Sequence, residues 1–144
     1  MDLRRMTEDD LAQVVDIHKS ITRKEITPRW REMLSSHVDN SEYPGYVAEN
    51  DGQVVGFIIG EIKVGGFGAE LSGWIEVVEV NPDYMGQGIG GALARRLLEH
   101  FASEGVLDVL TAVRWDSGDM LAFFKNQGFD RSPFINLQLK LGQD

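Results

Sequence analysis

The stretch NPDYMGQGIGGAL, Asn81 to Leu93, sets four glycines among six residues, after an apolar run that ends at Val80 and before an amphipathic pattern that begins at Ile89. A glycine-rich turn between a strand and a helix is an anion-binding arrangement. The first helical N–H groups have no acceptor within the helix, and the helix dipole is positive at that end. Glycine lets a diphosphate approach the backbone without meeting a Cβ, and it tolerates positive φ. A turn serving only as a tight connection does not need four glycines, each costing roughly 0.5–1 kcal/mol relative to alanine wherever it enters a helix. Spacing narrows the choice. No G-x-x-x-x-G-K-S/T is present and no lysine lies in the loop, so a P-loop fails. The dinucleotide pattern G-x-G-x-x-G fails too, because Gly86-Gln87-Gly88-Ile89-Gly90 runs on into Gly91-Ala92 and the preceding strand belongs to an antiparallel series.

Working outward, Ile89, Leu93, Leu97 and Phe101, with Ala92 and Leu98, predict a helix with one apolar stripe, while Arg95, Arg96, Glu99 and Glu104 face water. Upstream, Tyr46–Ala48, the turn Asn50-Asp51-Gly52 and Val54–Ile59 predict a hairpin, and Gly73–Val80 a third antiparallel strand beyond the punctuation of KVGGFGAE. The opening LRRMTEDDLAQVVDIHKS reads as a short strand and a helix; Thr7, three residues before Asp10, is a weak relative of the capping box, and Leu11, Val14, Val15 and His18 share a face. A second helix follows Pro28, with Trp30, Met33 and Leu34 inward. Downstream come a strand in VLDVLTAVRW, a helix in DSGDMLAFFKNQGF closed by Gly128, and an alternating last strand, FINLQLKL. The predicted order is β-α-α-β-β-β-α-β-α-β: an α/β fold, a central mixed, mostly antiparallel sheet with helices on both faces, in a single domain over residues 1–144.

Composition excludes several chemistries. There is no cysteine, which removes disulfides, thiolate metal sites and cysteine nucleophiles. His18, His37 and His100 lack metal-ligand spacing, so no metal is expected. With 14 Lys+Arg against 23 Asp+Glu, the net charge of −9 repels a phosphate backbone, so nucleic acid is not an expected partner. Such a surface favours cationic ligands such as amines, or serves solubility alone. No apolar run approaches the roughly 20 residues of a membrane helix, and MDLRRMTEDD lacks the apolar core of a secretory signal. The expectation is a soluble, cytoplasmic protein without membrane contact.

Val80-Asn81-Pro82-Asp83-Tyr84-Met85-Gly86-Gln87-Gly88-Ile89-Gly90 resembles V-x-P-x-Y/F-R-G-x-G-I-G of the GNAT family of N-acetyltransferases, and AFFKNQGF resembles that family's A-x-x-Y/F-x-x-x-G-F. The resemblance runs over the whole chain. It implies that acetyl-CoA is the co-substrate, with its pyrophosphate on the amides from Gly86 to Gly91 in the loop Met85-Gly86-Gln87-Gly88-Ile89-Gly90-Gly91. It also implies that the strand before the loop parts from its neighbour, so that the backbone of Val78, Glu79 and Val80 meets the pantetheine and thioester. The sequence departs from the family at Met85, where Arg or Gln is usual.

Acetyl transfer needs a neutral amine, a proton acceptor, donors for the developing oxyanion and, optionally, an acid for the thiolate. The family's acid is a tyrosine whose counterpart here is Phe124, which has no proton to give; a CoA thiolate leaves without one, or a water or another tyrosine serves. Tyr84 reads first as a packing residue. Ser117 stands where the family often has Asn, and either bonds the pantetheine or caps the last helix. The usual base positions hold Trp74 and Ala112. Strict alternation places Trp74, Glu76, Val78 and Val80 on one face and Ile75, Val77 and Glu79 on the other, which makes Glu76 the candidate base, directly or through a water. An acid that only binds the substrate's ammonium is the competing reading of Glu76. Arg114, Trp115 and Asp116 either contact substrate or pair among themselves. ITRKEITPRW and KVGGFGAE occupy the regions that shape the acceptor site in the family. The leading expectation is an N-acetyltransferase acting on a primary amine, small molecule or peptide; the alternative is an acyl-CoA-binding module that has lost catalysis. GNAT proteins often dimerise, and the alternating Ile135, Leu137, Leu139 and Leu141 suit strand pairing or exchange between copies.

Overall fold

In a computed structural model, which describes residues 1–66 and 68–143, five strands form one sheet in the order β1-β2-β3-β4-β5. They are β1 (Asp2–Arg5), β2 (Gly45–Asn50), β3 (Gln53–Val64), β4 (Leu71–Val80) and β5 (Asp108–Thr111). The first four pair antiparallel, and β5 joins β4 in parallel. The four helices are α1 (Leu11–Thr22), α2 (Pro28–Ser35), α3 (Ile89–Ser103) and α4 (Gly118–Asn126). Phe67, within KVGGFGAE, lies outside the described residues.

Turn chemistry sets the hairpin. Asp51 and Gly52 both take positive φ (51° and 79°), the two-residue loop whose twist suits antiparallel strands, and Asn50 pairs with Gln53 across it. The sheet is buried on both sides. Leu11, Val14, Leu34, Val47, Phe57 and Ile59 form the core beneath α1 and α2. Tyr46, Ile58, Ile75, Leu93, Leu97 and Phe101 form the other, beneath α3 and α4. At the start of α1, Arg4 makes a bidentate contact with buried Asp10 at 2.7 and 2.8 Å, and the Thr7 amide donates to the same carboxylate at 2.8 Å. Burial pushes the Asp10 carboxyl up, but those donors outweigh it and hold it below its ordinary value. Thr7 and Asp10 thus meet as their spacing predicts, and Arg4 adds a tie from β1 to the same carboxylate that the spacing does not predict. At the far end of α4, Gly128 turns left-handed (φ 96°) and Phe129 N–H donates to Phe124 O at 3.0 Å, the predicted glycine stop.

Two expectations need correcting. The strand predicted in VLDVLTAVRW is confined to Asp108–Thr111, because β4 and β5 separate beyond that point. The final strand is absent: among the described residues, 130–143 join no sheet. Alternation encodes which face a strand would bury, but a strand also needs an edge to pair with, and this chain brings none to Phe134–Leu141.

Candidate active site

The separation of β4 and β5 makes the site. Their parallel rungs run from Ser72 beside Asp108 to Ile75 beside Thr111, where the Thr111 hydroxyl donates to Ile75 O at 3.0 Å. Past that fastening β4 keeps only β3 as a neighbour, through Val77–Ile59, Val78–Ile58, Glu79–Phe57 and Val80–Gly56. The open edge faces a cleft of about 200 Å³. Ile75, Glu76 and Val78 form its near wall, Thr111–Arg114 its far wall, and Ser117, Met120 and Phe124 its end.

A bulge changes the predicted faces of β4. Ile75 pairs with Gly60 and Val77 with Ile59, which are consecutive, so Glu76 is an extra residue with no partner on β3. Ile75 consequently shares the α3-side core with Val78 and Val80, rather than the face predicted for it, while Val77 packs on the α1 side. Glu76 is exposed at the cleft wall, and Glu79 turns toward α1, so the two glutamates do diverge.

Glu79 has partners that spacing did not foretell. Its carboxylate lies 2.7 Å from His18 Nδ1, and the His18 ring stacks on Trp30 with centroids 4.0 Å apart and planes 16° from parallel. Both side chains of the pair are largely buried. The apolar face predicted for α1 included His18, but nothing local in the sequence says that a strand sixty residues away returns beneath it.

The glycine loop divides in two. Asn81 Oδ1 accepts from the Asp83 amide at 2.9 Å and folds Pro82–Tyr84 into a short 3-10 turn. Gly86 and Gly88 follow with φ of 82° and 79°, and a Cβ on either would meet nothing within 4 Å. They therefore leave the backbone open to approach from solvent. The α3 ladder starts with Ala92 N–H donating to Gly88 O at 3.1 Å, so the amides of Ile89, Gly90 and Gly91 precede any helical acceptor. Gly90 and Gly91 have a second duty: a Cβ on Gly90 would stand 3.1 Å from the Phe123 ring, and one on Gly91 3.1 Å from Gln127 Nε2. They bring α4 close to α3. Open left-handed glycines followed by helical amides without acceptors fit a pyrophosphate.

Met85 is exposed, and Tyr84 packs on the α3-side core. Phe124 borders the cleft yet is almost fully buried between Phe123 and Phe129, with centroids 5.1 and 5.3 Å away. Ser117 reaches the cleft and its hydroxyl makes no cap bond; its carbonyl accepts from Leu121 N–H at 3.0 Å. Arg114 and Asp116 form a bidentate pair at 2.9 and 2.8 Å in open solvent. Hydrogen bonding between them raises the arginine above its ordinary value and lowers the carboxyl below its own. Trp74 pairs with Glu61 across the sheet, with Lys63 Nζ 4.6 Å above its ring.

Another hollow, about 320 Å³, lies between α1 and the Asn81–Asp83 turn and shares no residue with the cleft. Among the described residues, no group of three or more His, Cys, Asp or Glu is placed to hold a metal ion, and no helix is long and apolar enough to cross a membrane.

Comparison with known proteins agrees with this architecture. A mycothiol acetyltransferase of Amycolatopsis mediterranei (strain U-32) is 36% identical over 89 residues, covering 60% of this chain and 30% of that protein. An L-2,4-diaminobutyric acid acetyltransferase of Nocardia farcinica (strain IFM 10152) is 34% identical over 85 residues, 58% of this chain and 42% of its own length. The chain thus spans less than half of either relative. Among solved structures, an aminoglycoside N-acetyltransferase in complex with CoA superposes with a TM-score of 0.84 at 15% identity, over 98% of this chain and 95% of that one, a likeness of fold. The acetyltransferase (GNAT) family matches residues 11–129, more than half of the sequence, and the chain belongs to that family.

Proposed function

We propose that this chain is an acetyl-CoA-dependent N-acetyltransferase that modifies a primary amine by direct attack in a ternary complex, within one domain. The observation that carries the reading is the opening of β4 from β5 immediately after the Ile75–Thr111 rung, in line with the open glycine turn. Acetyl-CoA supplies the activated acetyl thioester. The amides from Gly86 to Gly91 hold its pyrophosphate, with Met85, Gln87 and Ile89 bordering it. The open backbone of Val78, Glu79 and Val80 bonds the pantetheine as an added strand would, and the Ser117 hydroxyl and Phe124 ring close the cleft's end.

Glu76 accepts the ammonium proton, directly or through a water, because the bulge sets its side chain at the cleft wall. Amides freed along the same edge steady the oxyanion. The amine nitrogen bonds the acetyl carbon, the carbon–sulfur bond breaks, and the sulfur leaves as thiolate. No acid is required of Phe124. The acceptors named for the two relatives, and the net charge of −9, favour a small amino compound; a polyamine, a lysine or a protein N-terminus has the same reacting group.

A panel of these amines, assayed for free thiol release beside calorimetric titration of CoA, tests the reading. Amine-dependent release supports it. Tight CoA binding with no release from any amine would instead establish the acyl-CoA-binding module that the buried Phe124 favours.

A further inference from the structure

The glycine loop lacks the donor side chain that its family usually brings to it. Met85 is exposed and neutral, and its thioether has no hydrogen to give. Asp83, two residues earlier, adds a carboxylate to a chain whose total charge is already −9. A pyrophosphate held only by the amides of the loop would therefore sit in an unfavourable field. A cation beside the loop would offset it.

Several basic side chains are committed elsewhere. Arg4, Lys19, Lys63 and Arg114 each face a carboxylate, and the Arg5 and Arg96 guanidinium groups lie over the Tyr46 ring. Arg95 differs. Among the described residues no carboxylate, ring or hydrogen-bond acceptor engages it. It is exposed, on the water-facing side of α3, but helical side chains lean toward the N-terminus, so an arginine four residues after Gly91 returns over the turn that Gly91 opens. A Cβ on Gly91 would stand 3.5 Å from Arg95 Nη1 and 3.1 Å from Gln127 Nε2. Two side-chain donors thus flank one glycine whose own amide has no helical acceptor. Donors gathered at one point with no acceptor from the chain suit an anion.

We propose that Arg95 and Gln127 complete the phosphate site that Met85 leaves without a side-chain donor, by bonding the pyrophosphate of acetyl-CoA through the guanidinium and the carboxamide N–H groups. Gln127 closes α4, so the bound pyrophosphate ties α3 to the helix that ends the cleft with Phe124. This inference rests on the acetyl-CoA reading of the loop.

Calorimetric titration of the full chain with CoA, and with CoA lacking its 3′-phosphate, tests it. Arg95→Gln should weaken both ligands by the same factor, about 20-fold, at an unchanged Tm. Arg95→Lys should lose about fivefold, since an ammonium keeps the charge without the fork. Met85→Arg added to Arg95→Gln should return the affinity to within about threefold of the parent's, because a guanidinium again stands beside the loop. The proposal is overturned if Arg95→Gln binds CoA like the parent, if its loss is confined to the ligand that carries the 3′-phosphate, if the loss comes with a lower Tm, or if Met85→Arg does not reverse it. Each of those results leaves the acetyl-CoA reading standing. A parent without affinity for CoA would fell both.

Discussion

The two halves of β4 share no residue type and have opposite environments. From Leu71 to Ile75 the strand is flanked by β3 and β5, and its glycine is filled from above: a Cβ on Gly73 would meet the Phe101 ring at 2.9 Å. On β3, opposite Ile75, the fit is tighter still, since a Cβ on Gly60 would stand 2.6 Å from Trp74 O and 3.0 Å from Phe101. From Glu76 to Val80 the strand has one neighbour and an open side. The first half is built for closeness and the second for vacancy. The bulge at Glu76 separates them. Substitutions in the closed half should therefore act on stability, and those bordering the open half on ligands and rate.

The largest effect belongs to the closed half. Gly60→Val places its bulk against a backbone oxygen that cannot move cheaply, and should cost about 3 kcal/mol or more, read as a Tm lower by roughly 10 °C. If Gly60→Val melted like the parent, the closeness would not be structural. Next comes Glu76→Gln at the start of the open half. Loss of the proton acceptor should lower kcat/KM by about 100-fold, with the Kd for CoA and the Tm unaltered. A loss confined to KM for the amine would instead mean that Glu76 only binds the ammonium.

Gly88→Val probes the cradle at the end of the same half. The left-handed φ of 79° strains a branched residue by roughly 1–2 kcal/mol, and the Cβ enters the open space beside the loop backbone. CoA should bind about 30-fold more weakly, which is about 2 kcal/mol. Gly90→Ala is its counterpart, because there the Cβ meets the Phe123 ring rather than open space, so Tm should fall with less change in CoA affinity.

Asp10→Asn touches neither half and serves as a control for stability lost without ligand loss. The Asp10 carboxyl is held below its ordinary value in the fold. Its contribution is thus complete above the unfolded carboxyl's value of about 3.9, and fades as pH falls through the lower folded one. The variant should lose about 2 kcal/mol at pH 7, and the gap from the parent should close in acid as pH drops below about 4. A gap that widened in acid would reverse the sign assigned to Asp10.

Sequence carried much of this and stopped at definite places. The Asp51-Gly52 turn, the α3 stripe and the Thr7–Asp10 spacing were legible because each is local and its geometry is written in a few adjacent residues. The faces of β4 were not, because a bulge depends on the partner strand: the unequal counts of Gly60–Ile59 against Ile75–Val77 have no mark in GWIEVVEV. Nor could the four glycines be divided between phosphate and packing without knowing that Phe123 and Gln127 lie across from two of them. His18 and Glu79 meet only through tertiary closure. FINLQLKL shows the converse: its apolar alternation predicts a strand, and among the described residues it joins no sheet because no edge is brought to it.

The smallest effect should come from Phe124→Tyr, which restores the hydroxyl that the family usually carries. Phe124 lies against Phe123 and Phe129 and also borders the cleft, so a hydroxyl that reaches the cleft keeps its hydrogen bonds to water, and an unchanged Tm for the variant checks that it does. If thiolate departure needs no acid, kcat should change by less than about threefold, which is within roughly 0.6 kcal/mol. A rise of tenfold or more would show that the open half lacks a proton donor in the parent, and that departure of the thiolate, rather than attack by the amine, limits its rate. The comparison with Glu76→Gln then becomes decisive. An enzyme limited at attack loses rate with the glutamate and gains little from the tyrosine, whereas one limited at departure responds in the opposite order.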